Sequence, residues 1–250
     1  MSQESKNRPA GIESLRAEVN GRRVHYLKAG KGAPVVLVHG GASGADEWTR
    51  TMLRGGGRYS FYAPDLPGFG ESDRDEKGYY LDDFSDFLAG FIDCLGLEKP
   101  ALVGHSFGAR ICLDTVGRPD CRASKLVLVD ASGLGKMSPF GGVLFYFFKG
   151  LRAVMGQPQP FPRFLSSEGT DWDYVGDAAL KNIRIPTLLI WKRTDPYVSI
   201  SLARRAARMI PGAELAVIGG YGHAPHQQND NEPFNRLLLD FLDRGGGAGI

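Results

Sequence analysis

The sequence has few cysteines, no long hydrophobic run and almost no net charge. Its three cysteines, Cys94, Cys112 and Cys121, include no C-x-x-C pair, which argues against a disulfide framework and against a zinc site. We therefore expect structural thiols. The longest strongly apolar run, residues 143–148, is far below the roughly 20 residues that a membrane helix requires. No membrane-spanning segment is expected.

Clusters of basic residues are missing as well. The formal net charge is +2, and the arginines are scattered rather than interleaved with aromatic residues, so no nucleic-acid partner is expected. The N-terminal residues 1–11 are polar and lack the apolar segment of a secretory signal. We therefore expect a cytoplasmic location, while the oligomeric state stays open.

Short apolar runs recur along the chain instead. The protein has 250 residues, of which 42% are hydrophobic, enough for one main core. Six runs rich in Val, Leu or Ile are separated mostly by segments with helical spacing: VVLVHG, FYAPDL, ALVGHS, KLVLVD, TLLIWK and LAVIGG. Continuous apolar runs are typical of parallel strands buried on both faces. The pattern predicts an α/β fold with a mostly parallel central sheet flanked by helices.

Two segments predict helices beside this sheet. Residues 81–95 carry apolar side chains at spacings of three and four, and residues 107–116 follow directly on a predicted strand. The chain ends, residues 1–15 and 245–250, are expected to fray because they are polar or rich in glycine.

Residues 133–184 interrupt the alternation of strands and helices. This segment has several prolines and many aromatic residues but no strand signal, and it predicts a small helical cap on a core formed by residues 1–132 and 185–250. Four consecutive aromatic residues at 145–148 cannot all face one core, so some should face a cavity. Arg152 and Arg163 could bind a carboxylate there, although such side chains are more often solvated.

Ser106 lies between two glycines in the stretch ALVGHSFGAR, residues 101–110. A strand that turns abruptly into a helix needs small neighbours, which Gly104 and Gly108 supply. The alternative is a glycine-rich connection that carries an ordinary serine. A serine nucleophile needs a base that accepts its proton and an acid that orients the base.

The chain offers candidates for both partners. Of five histidines, His223 is the best base because it follows an apolar strand in a glycine-rich loop, and His226 is the alternative. Asp195 and Asp130 each end a predicted strand, where ligand sites of parallel sheets lie. Asp195 is favoured because it gives the order Ser, Asp, His with the acid one strand before the base.

In five segments, all in family order, the chain resembles the α/β-hydrolase superfamily, in its serine-nucleophile, capped, esterase-like branch. The resemblance extends from about residue 20 to residue 243 and rests on VLVHGGASG, APDLPGFGESD, LVGHSFGAR, PTLLIWKRTDPYVS and GYGHAPHQQNDNEPFNRLLLDFL. It implies that Ser106 is the nucleophile, Asp195 the acid and His223 the general base.

The resemblance also implies an oxyanion hole formed by the amides of Phe107 and Gly41, with Ala42 as the alternative to Gly41. Glycines at this turn let amides approach a developing oxyanion, and the helix that starts at Phe107 adds its positive end. No metal or organic cofactor is implied, because the triad and the backbone amides suffice. The segment DLPGFGES, residues 65–72, is expected to be structural. The predicted substrate pocket consists of Ala42, His105, Phe145, Phe148 and Trp172.

One departure from the family concerns the acid. The family often has a glycine after the tryptophan of LLIW, where this chain has Lys192. The turn that carries Asp195 is therefore expected to differ in conformation.

Hydrolysis of a carboxylic ester of a small, largely apolar molecule, through an acyl-enzyme, is the leading expectation. Relatives that open epoxides or remove halides have an aspartate in place of Ser106, so those reactions are disfavoured. Thioesters, activated amides and carbon–carbon bonds remain open, as do a lyase and a ligand-binding receptor with a vestigial site. The stretch HGGASGADEW favours a carbon–carbon hydrolase, whereas Ala224 argues against it, because those relatives usually have a tryptophan there.

Overall fold

A computed structural model describes the protein at residues 9–41, 43–74, 79–136, 138–139, 142–143, 147, 150–151, 154 and 174–244. In these residues eight strands form one sheet. The strands are β1 (Ile12–Val19), β2 (Arg22–Gly30), β3 (Ala33–Val38), β4 (Tyr59–Pro64), β5 (Ala101–His105), β6 (Lys125–Val129), β7 (Thr187–Thr194) and β8 (Glu214–Tyr221).

The sheet is mostly parallel. Its strand order is β1-β2-β4-β3-β5-β6-β7-β8. The pairs β1–β2 and β2–β4 are antiparallel, and every later pair in this order is parallel. The predicted α/β fold and its six apolar strands are thereby confirmed.

Helices cover both faces of the sheet. They are α1 (Thr49–Gly55), α2 (Leu81–Cys94), α3 (Phe107–Val116), α4 (Asp177–Lys181), α5 (Ile200–Met209) and α6 (Glu232–Asp243), with short 3-10 helices at Ala45–Trp48 and Pro225–Gln227. The predicted bounds of α3 agree with the structure, and α2 ends one residue before its predicted end.

The apolar runs are continuous because two separate cores need them. Along β3, Val36 and Val38 pack into one core with residues of α2, α3 and α5. Leu37, on the opposite face, packs into a second core with residues of α1 and α6. Burying an apolar side chain at each such position stabilises the fold by about 2 kcal/mol. A shift in register would expose these side chains, so their burial fixes the register of the sheet.

The expectation that residues 1–15 fray is wrong for residues 12–15, which belong to β1. This strand is half exposed and therefore lacks a continuous apolar run. It is ordered by backbone pairing with β2 from Ile12 to Val19, while Leu15 and Ala17 pack on the core.

The turn after β4 is held by a buried carboxylate. Asp65 accepts hydrogen bonds from the amides of Ala45 (2.7 Å) and Glu71 (2.9 Å) and lies 2.7 Å from Nδ1 of His25. Burial alone would raise the pKa of Asp65, but these contacts outweigh it and lower the pKa to about 2. The predicted structural role of residues 65–72 is consistent with these bonds, which fix the 3-10 helix Ala45–Trp48 beside the sheet.

Most of the predicted cap, residues 133–184, lies outside the described residues. At its two ends, Leu134 and Leu180 are buried against the core. The three cysteines are free thiols, with Cys112 buried and Cys94 exposed. Within the described part of the chain, no helix has the length and apolar character needed to cross a membrane.

Candidate active site

Ser106 occupies a sharp turn between β5 and α3. Its backbone has φ 49° and ψ −111°, a strained conformation for a residue with a side chain. A Cβ on Gly104 would lie 2.5 Å from the backbone of Ala109, and a Cβ on Gly108 would lie 2.3 Å from the carbonyl oxygen of Val38. Both glycines are therefore required by close backbone approach, which lets the strand turn directly into the helix.

The structure brings Ser106, His223 and Asp195 together. His223 Nε2 lies 2.9 Å from Ser106 Oγ, and His223 Nδ1 lies 2.7 Å from Asp195 Oδ2. A carboxylate only accepts, so Nδ1 carries the hydrogen and Nε2 is free to accept from the serine hydroxyl. Three side chains from distant parts of the chain thus form one hydrogen-bonded array.

The carboxylate of Asp195 is fixed by its own loop. Its side chain is fully buried, and Oδ1 accepts from the amides of Tyr197 (2.7 Å) and Val198 (3.0 Å). With one oxygen held by these amides, the other points at the imidazole. The carboxylate therefore sets both the orientation and the tautomer of His223.

Asp130, the alternative acid, does not contact His223 by a hydrogen bond. Its Oδ1 accepts from the amide of Lys192 (2.9 Å), and its Oδ2 has no hydrogen-bond partner in the described residues. Burial raises the pKa of Asp130 well above its ordinary value, and the nearby charge of Asp195 raises it further. Asp130 therefore lacks the hydrogen bond by which an acid would orient His223.

The environment of His223 favours its neutral form. Burial lowers the pKa of this histidine, and the hydrogen bond to Asp195 opposes that effect only in part. The nearby His105 lowers the pKa further. A histidine with a lowered pKa is unprotonated near neutral pH and can accept the serine proton.

The turn after β3 packs against the nucleophile. A Cβ on Gly40 would lie 3.6 Å from Cβ of Ser106. His39 braces this turn: its Nδ1 lies 2.8 Å from the carbonyl oxygen of Gly40, and its Nε2 accepts from the amide of Leu66 (3.0 Å). Gly41 therefore follows a braced residue beside Ser106, at the start of the turn predicted to supply an oxyanion-hole amide.

A buried carboxylate behind this site, Glu47, was missed in the sequence. Its Oε1 lies 3.3 Å from Nδ1 of His105 and 3.4 Å from Nε2 of His226. Its position directly before Trp48, which is buried, is the one signal that could have indicated burial. The same three side chains have the atom types of a metal site, as do Asp130, Asp195 and His223.

Lys192 is also buried. Its ammonium group donates to the carbonyl of Gly219 and to Oε1 of Gln228, so it ties β7 to the loop that carries His223. The pairing of β7 with β8 is irregular between Lys192 and Thr194, immediately before Asp195.

A comparison with protein-family models matches residues 35–237 to the alpha/beta hydrolase family. The chain belongs to this family. The expected resemblance to this superfamily is thereby confirmed.

Two known hydrolases are similar to this alpha/beta hydrolase over most of its length. The 2-hydroxy-6-oxo-6-phenylhexa-2,4-dienoate hydrolase of Burkholderia cepacia is 28% identical, over 89% of this chain and 92% of its own length. The 2-hydroxy-6-oxononadienedioate/2-hydroxy-6-oxononatrienedioate hydrolase of Comamonas testosteroni is 29% identical, with the same two coverages.

Solved structures agree with this fold. A variant of the meta-cleavage product hydrolase of Pseudomonas fluorescens IP01, complexed with acetate, is 28% identical with a TM-score of 0.76, covering 92% of this alpha/beta hydrolase and 97% of the other chain. The carboxylesterase CesB of Bacillus subtilis has a TM-score of 0.79 over 95% and 94% of the two chains, but at 19% identity it shows the shared fold alone.

The predicted pocket residues fall into two groups. Ala42, Phe145, Phe148 and Trp172 lie outside the described residues. His105 is described, but its two ring nitrogens face Glu47 and the carbonyl oxygen of His223. The ring is buried against these groups, and its predicted place in the substrate pocket stays a prediction.

Proposed function

We propose that this protein hydrolyses a carbon–carbon bond next to a carbonyl group, in a substrate of the 2-hydroxy-6-oxo-dienoate type. The observation that carries the proposal is the similarity, over 89% of the chain, to hydrolases named for such compounds. The sequence analysis favoured a carboxylic ester and kept the carbon–carbon bond as an alternative. The comparisons support the carbon–carbon hydrolase better than the esterase.

The proposed roles follow the hydrogen-bonded array. His223 Nε2 removes the proton from Ser106 Oγ, across the 2.9 Å contact, as the oxygen attacks the carbonyl carbon of the substrate. Asp195 stabilises the imidazolium that forms. The amides of Phe107 and Gly41 are proposed to donate to the negative oxygen of the tetrahedral intermediate, where each such donor typically contributes a factor of about 100 to 1,000 in rate.

Bond cleavage then expels a carbanion rather than an alkoxide. In the 2-oxo tautomer of the substrate, the bond between C5 and the carbonyl carbon C6 breaks, and its electron pair is delocalised through the conjugated system to the C2 carbonyl. The imidazolium of His223 returns its proton to the leaving fragment. Water, deprotonated by His223, then cleaves the acyl-serine ester. One water is consumed, and a carboxylic acid and a hydroxydienoate are formed.

The predicted cap completes the proposal. Residues 133–184 are proposed to enclose the substrate, with Phe145, Phe148 and Trp172 against its apolar end. A dienoate also carries a carboxylate, for which Arg152 and Arg163 are the candidate cations in that segment.

The test compares a dienoate with two esters on the same protein. We expect kcat/KM to be larger for 2-hydroxy-6-oxo-6-phenylhexa-2,4-dienoate, followed by loss of its absorbance, than for p-nitrophenyl acetate or p-nitrophenyl octanoate. A larger kcat/KM for either ester would contradict the proposal and restore the esterase interpretation.

A further inference from the structure

One buried carboxylate contacts three of the segments around the triad. The side chain of Glu47 is 1% exposed. Its Oε1 accepts from the amide of Gly40 (3.2 Å), next to the predicted oxyanion donor, and its Oε2 accepts from Nε2 of Gln227 (3.2 Å), in the loop after His223. The third loop is reached through His105, the residue before the nucleophile.

The ring of His105 lies between two acceptors. Its Nε2 lies 2.8 Å from the carbonyl oxygen of His223, and its Nδ1 lies 3.3 Å from Oε1 of Glu47. A carbonyl oxygen carries no hydrogen, so Nε2 carries one. Nδ1 makes no hydrogen bond within the described residues, but the carboxylate 3.3 Å away favours a proton on this nitrogen as well.

The charges agree with that assignment. A buried carboxylate without a counter-charge would cost several kcal/mol, and the ion-pair partners of Glu47 in the described residues are His105 and His226. Burial lowers the pKa of His226 to about 4, which leaves that ring neutral, stacked on Trp48 with a centroid distance of 4.2 Å. His105 is the remaining cation.

The pKa values of His105 and Glu47 agree with a charged His105. Burial would lower the pKa of His105, but the carboxylate of Glu47 more than offsets it, so the pKa is raised; Asp130 contributes in the same direction. Burial would raise the pKa of Glu47, but His105 and His226 together hold it well below its ordinary value. The titratable groups that face His105 are thus Glu47, His223, His226 and Asp130.

We propose that Glu47 and His105 form a buried ion pair that positions the base His223 from behind, by a hydrogen bond to its backbone carbonyl. Neither residue touches the reacting atoms, so both are positioning residues. Their positioning role rests on the proposed function, in which Ser106 and His223 carry out the reaction. The pair links Ser106, through its neighbour His105, to His223, and it links both to the oxyanion turn through Gly40.

The pair also acts on the charge of the base. The imidazolium of His105, with a ring centroid 5.2 Å from that of His223, disfavours a second positive charge there, and this effect exceeds the opposing effect of the Glu47 charge. The net effect lowers the pKa of His223. The base therefore stays neutral to lower pH than it would beside a neutral ring.

The first test reads the charge of His105 directly, without a substrate. We expect nitrogen NMR of the resting native protein at pH 8 to show both ring nitrogens of His105 protonated. In Glu47→Gln the ring should lose one proton. In Asp46→Asn, which removes an exposed carboxylate from the same short helix, the ring should keep both. An unprotonated nitrogen on His105 in the native protein would overturn the proposal, whether or not the variants fold.

The second test follows the rate at which a fluorophosphonate labels Ser106, as a function of pH. Glu47→Gln should slow labelling by about 10- to 100-fold, as expected for a displaced base. It should also move the acid limb of the pH–rate profile to higher pH, because His105 loses its charge. Asp46→Asn should change neither the labelling rate nor the position of the acid limb. A folded Glu47→Gln variant with an unshifted acid limb would contradict the positioning role.

Failure of the proposed function would give a different result. A protein that shows the charged His105 and labels rapidly, yet leaves the dienoate intact, would retain the ion pair and lose the carbon–carbon hydrolase assignment. A protein that cleaves the dienoate but has a neutral His105 would retain the carbon–carbon hydrolase assignment and lose the ion pair.

Discussion

At the scale of single residues, the two aspartates that end neighbouring strands differ in what holds them. Asp195 has both oxygens engaged, one by the amides of Tyr197 and Val198 and the other by His223. Asp130 makes no hydrogen bond to His223, and its burial together with the charge of Asp195 raises its pKa, which the amide of Lys192 opposes only in part. The sequence places both at the same edge of the sheet but does not tell which one reaches the imidazole.

Substitution of each aspartate by asparagine separates their roles. Asp195→Asn should lower kcat by about 10,000-fold, because an amide favours the wrong tautomer of His223. Asp130→Asn should retain most of the activity, since asparagine can still accept from the amide of Lys192. Steady-state rates of both folded variants check this, and a greater loss in Asp130→Asn would assign the acid to Asp130.

At the scale of elements, the contact of α3 with the end of β3 determines where the oxyanion turn lies. A Cβ on Gly108 would lie 2.3 Å from the carbonyl oxygen of Val38 and 2.5 Å from that of His39. These are backbone atoms of the sheet and cannot move aside as a flexible side chain can. The helix and the strand can approach this closely only with glycine at position 108.

Gly108→Ala should therefore lower the free energy of unfolding by about 1 to 3 kcal/mol and slow the labelling of Ser106. The matched control is Gly117→Ala at the other end of α3, where the nearest atoms lie 3.4 Å and 3.6 Å from an added Cβ. Denaturant unfolding should find that variant within about 0.5 kcal/mol of the native protein. Equal stability of the two variants would contradict the packing argument.

The turn after β4 depends on the ionised form of Asp65. Its folded pKa of about 2 lies below the ordinary value of 3.8. The ionised carboxylate therefore stabilises the fold above about pH 4, and that stabilisation, about 2 kcal/mol, disappears as the pH falls toward 2.

Unfolding measured between pH 5 and pH 2 should show this loss in the native protein and a flatter dependence in Asp65→Asn. The variant should also be less stable at pH 7, since asparagine cannot accept all three bonds of the carboxylate. Asp46→Asn should keep the native slope. The idea fails if Asp65→Asn has the same pH dependence as the native protein.

At the scale of the whole molecule, the fold could be predicted from sequence because the central strands of the sheet, such as β5 and β6, are buried on both faces. Such strands read as continuous apolar runs, and all six of those singled out are strands. The half-exposed β1 was missed since its order comes from pairing with β2, which no local pattern records.

The candidate site could be predicted only where family motifs mark it. Ser106, Asp195 and His223 follow strand ends in a recognisable order. The contact of Glu47 with His105 and His226 joins parts of the chain that are distant in sequence, so no spacing reveals it. The burial of Lys192, a residue type that is mostly exposed, depends likewise on a distant acceptor, Gln228.

The account as a whole depends on one claim, that the serine array cleaves the carbon–carbon bond of a dienoate. The most direct measurement is benzoate release from 2-hydroxy-6-oxo-6-phenylhexa-2,4-dienoate by the native protein and by Ser106→Ala. The account predicts sustained release by the native protein and a loss in kcat on the order of 1,000,000-fold in the variant. Release at equal rates, or no release by the native protein, would contradict it.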